Sequence, residues 1–270
     1  MVGTIEILER LVETVKSGSD AALVTVVSAR GSSPGREGFK MVVVEGGKTF
    51  GTVGGGPLEA AAIKAGLDAI AAAASSRVSL GREQGGLAAL GMACGGEVEL
   101  LVEYVSAGPR AYIFGAGHVG LAVGELAKFA GFGVTLIDDR EEFANRDLAP
   151  WADRIVVSDF QEAALSIPGG LRSYAVIVTR GHEWDEVVLE TILSLPEQPF
   201  YVGMIGSRRK VRECFANLEA RRITKNALAR VHAPIGLDIG GVTPREIAVS
   251  VVAEMVAARY GRDPRHTEGE

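Results

Sequence analysis

The residues of this chain best suited to chemistry lie in short glycine-rich stretches. In GAGHVG (115–120), Gly115, Gly117 and Gly120 keep the G-x-G-x-x-G spacing and directly follow the apolar run AYIF (111–114). That spacing lets backbone approach a pyrophosphate at a helix start, where free N–H groups and the helix dipole attract anions. His118 fills a free position of the motif, where the same dipole disfavours an imidazolium. A neutral ring there donates one hydrogen bond or binds a metal; packed and hydrogen-bonded, it does neither. Asp138, 18 residues past Gly120, ends the run VTLI (134–137) together with Asp139 and Arg140, near the separation expected of a carboxylate that accepts from ribose hydroxyls. The fingerprint alone is weak, because the same glycines also permit close strand–helix packing around an empty site.

Other stretches have the same character. Thr179-Arg180-Gly181-His182 and Gly206-Ser207-Arg208-Arg209-Lys210 each follow an apolar run. Three cations in a helix's first turn oppose the macrodipole unless an anion neutralises them, the alternative being a solvated basic face. A later loop, VHAPIGLDIGG (231–241), contains His232. Nearer the start, GTVGGGPLEA (51–60) sets Gly54, Gly55, Gly56 and Glu59 at another helix N-terminus. Cys94, ahead of two glycines, is a candidate soft ligand or reactive thiol, whereas Cys214 inside the helical VRECFANL reads as inert. The histidines lack the close Cys/His pairs of zinc sites, so no metal site is assigned. For His182 as acid or base the only neighbouring carboxylates in sequence are Glu183 and Asp185, and no catalytic residue is assigned.

The elements that must position these residues fall into two rhythms. Residues 4–16 have helical spacing; strands are expected at 21–29, 40–45 and 48–53, the last two as a hairpin through Gly46-Gly47; a helix follows over 57–74, then strands around 87–92 and 97–105. After Ser106-Ala107-Gly108-Pro109, strands (111–114, 134–137, 154–157, 174–179, 200–205) alternate with helices (117–130, 160–166, 184–194, 207–221), which implies a parallel, doubly wound, Rossmann-like sheet. Thr243-Pro244-Arg245-Glu246 forms a capping box that opens a last helix reaching about residue 260. The expected organisation is a mixed α+β domain over 1–107, an α/β domain over 108–265 and a frayed tail at 266–270.

A chain of 270 residues with 47% apolar content can fill real cores, and two cysteines are too few for a disulfide framework. Lysine and arginine number 28 against 34 acids, a net charge of −6 that argues against nucleic acid as a partner. No apolar run approaches the ~20 residues of a membrane span, and no signal-like start is present, so a cytoplasmic protein is expected. A homodimer is the default assembly.

Taken together, VTVVSARGSSPGREGFKMVV, FGTVGGGPLEAA, MACGGEVELLVE, YIFGAGHVG, VTLIDDREEFAN, VIVTRGHEWDE, YVGMIGSRRK and HAPIGLDIGGVTPREIAVSVVAE resemble the XdhC/CoxI family of molybdoenzyme accessory proteins, and they cover most of the chain. The resemblance implies an N-terminal XdhC/CoxI domain and a Rossmann-like C-terminal domain. It implies a maturation factor rather than an enzyme: one that binds the molybdenum cofactor (molybdopterin or its dinucleotide form), supports its sulfuration by a cysteine-desulfurase-type partner, and inserts it into a molybdenum hydroxylase client of the xanthine dehydrogenase or aldehyde oxidoreductase type. The glycine-rich turns would then cradle the cofactor's phosphate, with no hydride transfer. Where many relatives resemble GGGC-[LV]-E, this chain carries Pro57, which leaves Cys94 as the candidate thiol. The competing reading is an NAD(P)-dependent oxidoreductase built on Gly115, Gly117, Gly120 and Asp138.

Overall fold

The computed structural model describes residues 3–31, 33–80 and 96–262. It divides into two compact units, Met1–Ala107 and Gly108–Glu270. The expected strand at 87–92, Cys94 and the tail at 266–270 lie outside the described residues.

The first unit opens with helix α1 (Thr4–Lys16), followed by strands β1 (Ala21–Arg30), β2 (Lys40–Val44) and β3 (Thr49–Gly51), helix α2 (Gly56–Ala72), and strands β4 (Ser76–Leu80) and β5 (Glu97–Val105). Among the described residues the strands form one antiparallel sheet in the order β3-β2-β1-β5-β4. Period-two alternation divides its core: Ala22, Val24, Met41 and Val43 join Leu58, Ala62 and Ala69 of α2, while Ala21, Leu23 and Val42 join Ile7 and Leu11 of α1. The central strand β1 is therefore apolar on both faces. β4 was not expected from the sequence, because SRVSL is short, polar and mostly exposed, and gains its strand character from pairing with β5.

The second unit runs β6 (Arg110–Phe114), α3 (His118–Phe129), β7 (Gly133–Asp138), β8 (Arg154–Val157), α4 (Phe160–Ser166), β9 (Gly170–Ile177), α5 (His182–Leu193), β10 (Pro199–Met204), α6 (Arg208–Ala220), α7 (Lys225–Ala229) and α8 (Pro244–Arg259). All five strands are parallel, in the order β10-β9-β6-β7-β8. Strand order reverses between β6 and β9, where open α/β sheets bind ligands. Side chains alternate across the sheet: Ala111, Ile113, Val134, Leu136 and Val176 pack with α3 and α8, whereas Tyr112, Phe114, Ile137, Ala175 and Ile177 pack with α4, α5 and α6. The short helix α7 was not expected; Thr224 caps it by accepting from Ala227 N–H. The capping box at Thr243 and Glu246 is present as expected.

Candidate functional site

The site is built from the loops that follow β6, β7, β9 and β10, all at the carboxyl edge of the parallel sheet. Two glycines of the first loop are required by packing. Gly115 has φ +112°, and a Cβ there would lie 2.3 Å from the Val178 carbonyl oxygen; at Gly120 a Cβ would come within 1.8 Å of the Gly115 carbonyl oxygen. Gly117 is different. Its backbone is ordinary (φ −74°), and a Cβ would meet nothing within 4 Å. Gly115 and Gly120 thus seat the helix on the strand, and Gly117 leaves open space at the start of α3.

The helix starts divide into two kinds. Asp159, Ser207, Thr224 and Thr243 cap α4, α6, α7 and α8 with their side chains. α3 and α5 begin at Gly117 and Gly181, and neither has a side-chain cap. A Cβ at Gly181 would also meet nothing within 4 Å. The loops carrying these two starts adjoin, since Gly115 packs against Val178 and Thr179. Their N-terminal amide groups are left for solvent or for an anion.

Over the end of β6, Arg180 from the loop after β9 forms a two-pronged ion pair with Asp139 from the loop after β7, one contact at 2.8 Å. The Arg180 guanidinium holds Asp139 below the usual carboxylate range. It also lies over the rings of Trp184, at 5.0 Å, and Phe160, at 5.8 Å.

Asp138 corrects the sequence reading. It is fully buried, and its carboxylate accepts from Ala116 N–H at 2.8 Å, from Arg140 Nε at 2.9 Å and from Arg140 Nη2 at 3.1 Å. Spacing placed it at the strand end, but the carboxylate turns inward to fasten the glycine-rich turn and does not reach a ribose. Arg140 is partly exposed, bound to Asp138 and stacked over Phe143 at 3.9 Å.

Beside this turn, a hollow of about 300 Å³ is lined by Thr179, Arg180, Gly181, His182, Asp185, Met204, Ile205, Gly206, Ser207, Lys210 and Cys214. Here the structure brings together Arg180 and Lys210 of the cationic loop residues expected from sequence, with Thr179, Gly181, His182, Gly206 and Ser207. Ser207 Oγ accepts from Lys210 N–H at 3.3 Å, fixing the start of α6. Asp185, reachable from sequence only as one of two neighbours of His182, is the buried acid of the hollow. Thr179 donates to its Oδ1 from N–H at 3.0 Å and from Oγ1 at 2.7 Å. Burial lifts the Asp185 carboxyl from its usual 3.8 to about 6, against the lowering effect of Thr179, His182 and Lys210. An acid displaced in this way inside a hollow is a candidate for a functional role. Burial pushes the Cys214 thiol up to about 12, which fits its expected inertness.

Three expected members stand apart. His118, the first residue of α3, is exposed at the open start of that helix. Arg208 faces a neighbouring hollow of about 580 Å³ that includes Gly236, Asp238 and Ser250, and its guanidinium lies 3.8 Å from Asp238. His232 lines neither hollow. It stacks on Tyr201 with ring centroids 4.5 Å apart, and its Nδ1 is 3.2 Å from Glu254 Oε1. Glu254, buried and not expected from sequence, also accepts from Tyr201 OH at 2.6 Å and Gly236 N–H at 2.9 Å. Burial drives its carboxyl upward, but the nearby His232 ring and the Tyr201 and Gly236 hydrogen bonds prevail and hold it below the usual range. His232 therefore belongs to a buried polar network of the fold rather than to the ligand-facing set.

Gly54, Gly55, Gly56 and Glu59 form a separate turn in the first unit. All three glycines have positive φ, and at Gly54 a Cβ would lie 2.7 Å from the Pro34 carbonyl. Glu59 accepts from Thr52 Oγ1 at 2.5 Å and from Gly55 N–H at 3.1 Å, so its carboxylate holds the turn itself.

The sequence matches the XdhC Rossmann domain family over residues 111–255, and the XdhC and CoxI family over residues 14–81. The chain belongs to the XdhC family. Among curated relatives, this XdhC-family chain is 32% identical over 241 residues to YqeB, an uncharacterised protein of Escherichia coli K12; the match covers 88% of this chain and 43% of YqeB. It is 27% identical over 160 residues to a Bacillus subtilis 168 protein described as a probable xanthine dehydrogenase subunit, covering 59% of this chain and 46% of that one. The chain thus spans less than half the length of these two relatives. A crystal structure described as a xanthine dehydrogenase from Bacillus halodurans superposes with a TM-score of 0.52 over 99% of this chain and 98% of that one; at 20% identity the likeness is one of fold.

Among the described residues no helix is long and apolar enough to cross a membrane, and no group of three or more His, Cys, Asp or Glu side chains is arranged to hold a metal ion.

Proposed function

We propose that this chain is a maturation factor that holds the phosphorylated pterin of the molybdenum cofactor and hands it to a molybdenum hydroxylase. The observation that carries this reading is the pair of uncapped, open helix starts at Gly117 and Gly181, which adjoin where strand order reverses, with Arg180 and Lys210 beside them. Four other helix starts of the same unit satisfy their first turn with their own side chains, so leaving these two bare suits an anion from outside.

The residues fit the cofactor at its phosphate end. Backbone N–H groups at the starts of α3 and α5 would bind the phosphate oxygens, Arg180 and Lys210 would neutralise their charge, and the apolar wall of Met204 and Ile205 would exclude water from the ring. When bound, the cofactor supplies the molybdenum redox centre that the client uses; this chain's part is to bind, orient and shield. The likeness to a probable xanthine dehydrogenase component supports the client class. Support by a cysteine-desulfurase-type partner during sulfuration, and a homodimeric assembly, belong to the same proposal. The NAD(P) alternative loses its main support, because Asp138 is spent on Ala116 and Arg140.

The test is anaerobic incubation of the full chain with free molybdenum cofactor, then gel filtration with metal and pterin assay of the protein peak. Molybdenum and pterin eluting together with the protein are expected. Their absence at micromolar protein, with NADH or NADPH binding in their place, overturns the reading.

A further inference from the structure

Phosphate binding leaves one feature of the 300 Å³ hollow without a purpose. Arg180, His182, Ser207 and Lys210 suit an anion, yet the wall also contains Asp185, a carboxylate only 7% exposed. A carboxylate repels phosphate, so its presence points to a different part of the ligand.

The carboxyl is held in one orientation. Both Thr179 donors converge on Oδ1, at 3.0 and 2.7 Å, while Oδ2 accepts from no described residue. An ionised carboxylate offers about four acceptor positions, so roughly two remain. The carboxyl's pKa of about 6 leaves it mostly ionised at neutral pH, with Lys210 and the His182 ring facing it and Glu186 and the Cys214 thiol nearby. Met204, Ile205 and Cys214 give the same hollow an apolar wall against which a flat ring can lie. A buried oxygen left open beside such a wall matches a flat ring that presents an exocyclic N–H donor.

We infer that Asp185 recognises the 2-amino-4-oxopyrimidine edge of a pterin, its Oδ2 accepting from the exocyclic 2-amino group, while the helix starts at Gly117 and Gly181 take the phosphate. This rests on the cofactor reading above for the choice of pterin; guanine carries the same edge. Asp185 is thereby the residue that selects a 2-amino ring over a 2-oxo ring, because removing the amino donor leaves a buried acceptor unpaired.

The test uses the full chain and three ligands, measured by calorimetry: 6-hydroxymethylpterin, 6-hydroxymethyllumazine (which has a 2-oxo in place of the 2-amino group) and guanosine monophosphate. The native chain is expected to bind the pterin at least tenfold more tightly than the lumazine. Asp185→Asn is expected to lose tenfold to a hundredfold in pterin affinity, the effect of one charge-assisted pairing, with the pterin-over-lumazine preference abolished. Equal binding of pterin and lumazine by the native chain overturns the inference, as does a pterin affinity unchanged in Asp185→Asn. If that variant does not fold, the native pterin-to-lumazine ratio decides alone. A tenfold preference for guanosine monophosphate over the pterin overturns the assignment to a pterin. Capture of the intact cofactor without any pterin-over-lumazine preference sinks this inference and spares the maturation role; discrimination at the ring without capture of the cofactor does the reverse.

Discussion

Replacing Asp185 with asparagine should stabilise the second unit at alkaline pH and leave it nearly unchanged in acid. The buried carboxyl titrates near 6 in the folded chain against a usual 3.8. A folded-state value raised above the unfolded one means that its stabilising contribution is complete below pH ~4 and is lost as pH rises through about 6. Above that, the fold holds a carboxylate that is better solvated in the unfolded chain. Each tenfold difference in proton affinity is about 1.4 kcal/mol, so the rise from 3.8 to about 6 corresponds to roughly 3 kcal/mol. Asparagine keeps an oxygen for the Thr179 donors and has no charge to bury. The variant should therefore gain up to ~3 kcal/mol at pH 8 and under ~1 kcal/mol at pH 4. Both tryptophans of the chain, Trp151 and Trp184, belong to the second unit, so urea unfolding followed by tryptophan fluorescence reports that unit selectively. A gain of the same size at both pH values, or a loss at pH 8, would show that Asp185 is a supporting group of the fold rather than a strained one kept for a ligand.

Other outcomes follow from the same geometry. Gly120→Ala forces a Cβ into the Gly115 carbonyl and should destabilise the second unit by about 1–3 kcal/mol or more, whereas Gly117→Ala meets open space and should change stability by under about 1 kcal/mol while weakening phosphate binding severalfold; urea unfolding and phosphate titration separate the two. Arg180→Ala breaks a partly exposed pair with Asp139 and should cost about 1 kcal/mol, yet it should weaken phosphate binding and flatten its salt dependence. Glu254→Ala removes the acceptor of the Tyr201 hydroxyl and the Gly236 N–H and should destabilise the second unit by about 1–3 kcal/mol, read as a lowered urea midpoint. The native contribution of Glu254, whose carboxyl is held below its usual 4.5, is present above that pH and should fade as pH falls through its folded-state value.

What could be read from the sequence was whatever depends on local pattern. Alternating β and α periods located every strand of the second unit, and the spacing of Gly115 and Gly120 signalled a strand–helix contact that the 2.3 and 1.8 Å clashes of an added Cβ make concrete. Direction of side chains was not legible. Spacing put Asp138 at a strand end, but whether its carboxylate faces a ligand or the Ala116 amide depends on the tertiary position of Arg140 and the turn. His232 misled in the same way, because its partner Glu254 lies 22 residues away on α8 and no local pattern joins them. Asp185 was hidden for the opposite reason: an acid in the first turn of a helix is ordinary, and only burial beneath Thr179 and beside Lys210 makes it unusual. β4 escaped because an exposed polar edge strand has almost no periodic signal of its own.

The most direct test of a phosphate-and-pterin carrier compares capture of free molybdenum cofactor by the native chain and by Gly117→Ala/Arg180→Ala, with bound molybdenum and pterin quantified on the same protein peak. Near-stoichiometric capture by the native chain, with a loss of tenfold or more in the folded double variant, is the predicted result. Equal capture by both proteins would contradict the assignment, and would mean that the open helix starts of the second unit do not hold the cofactor.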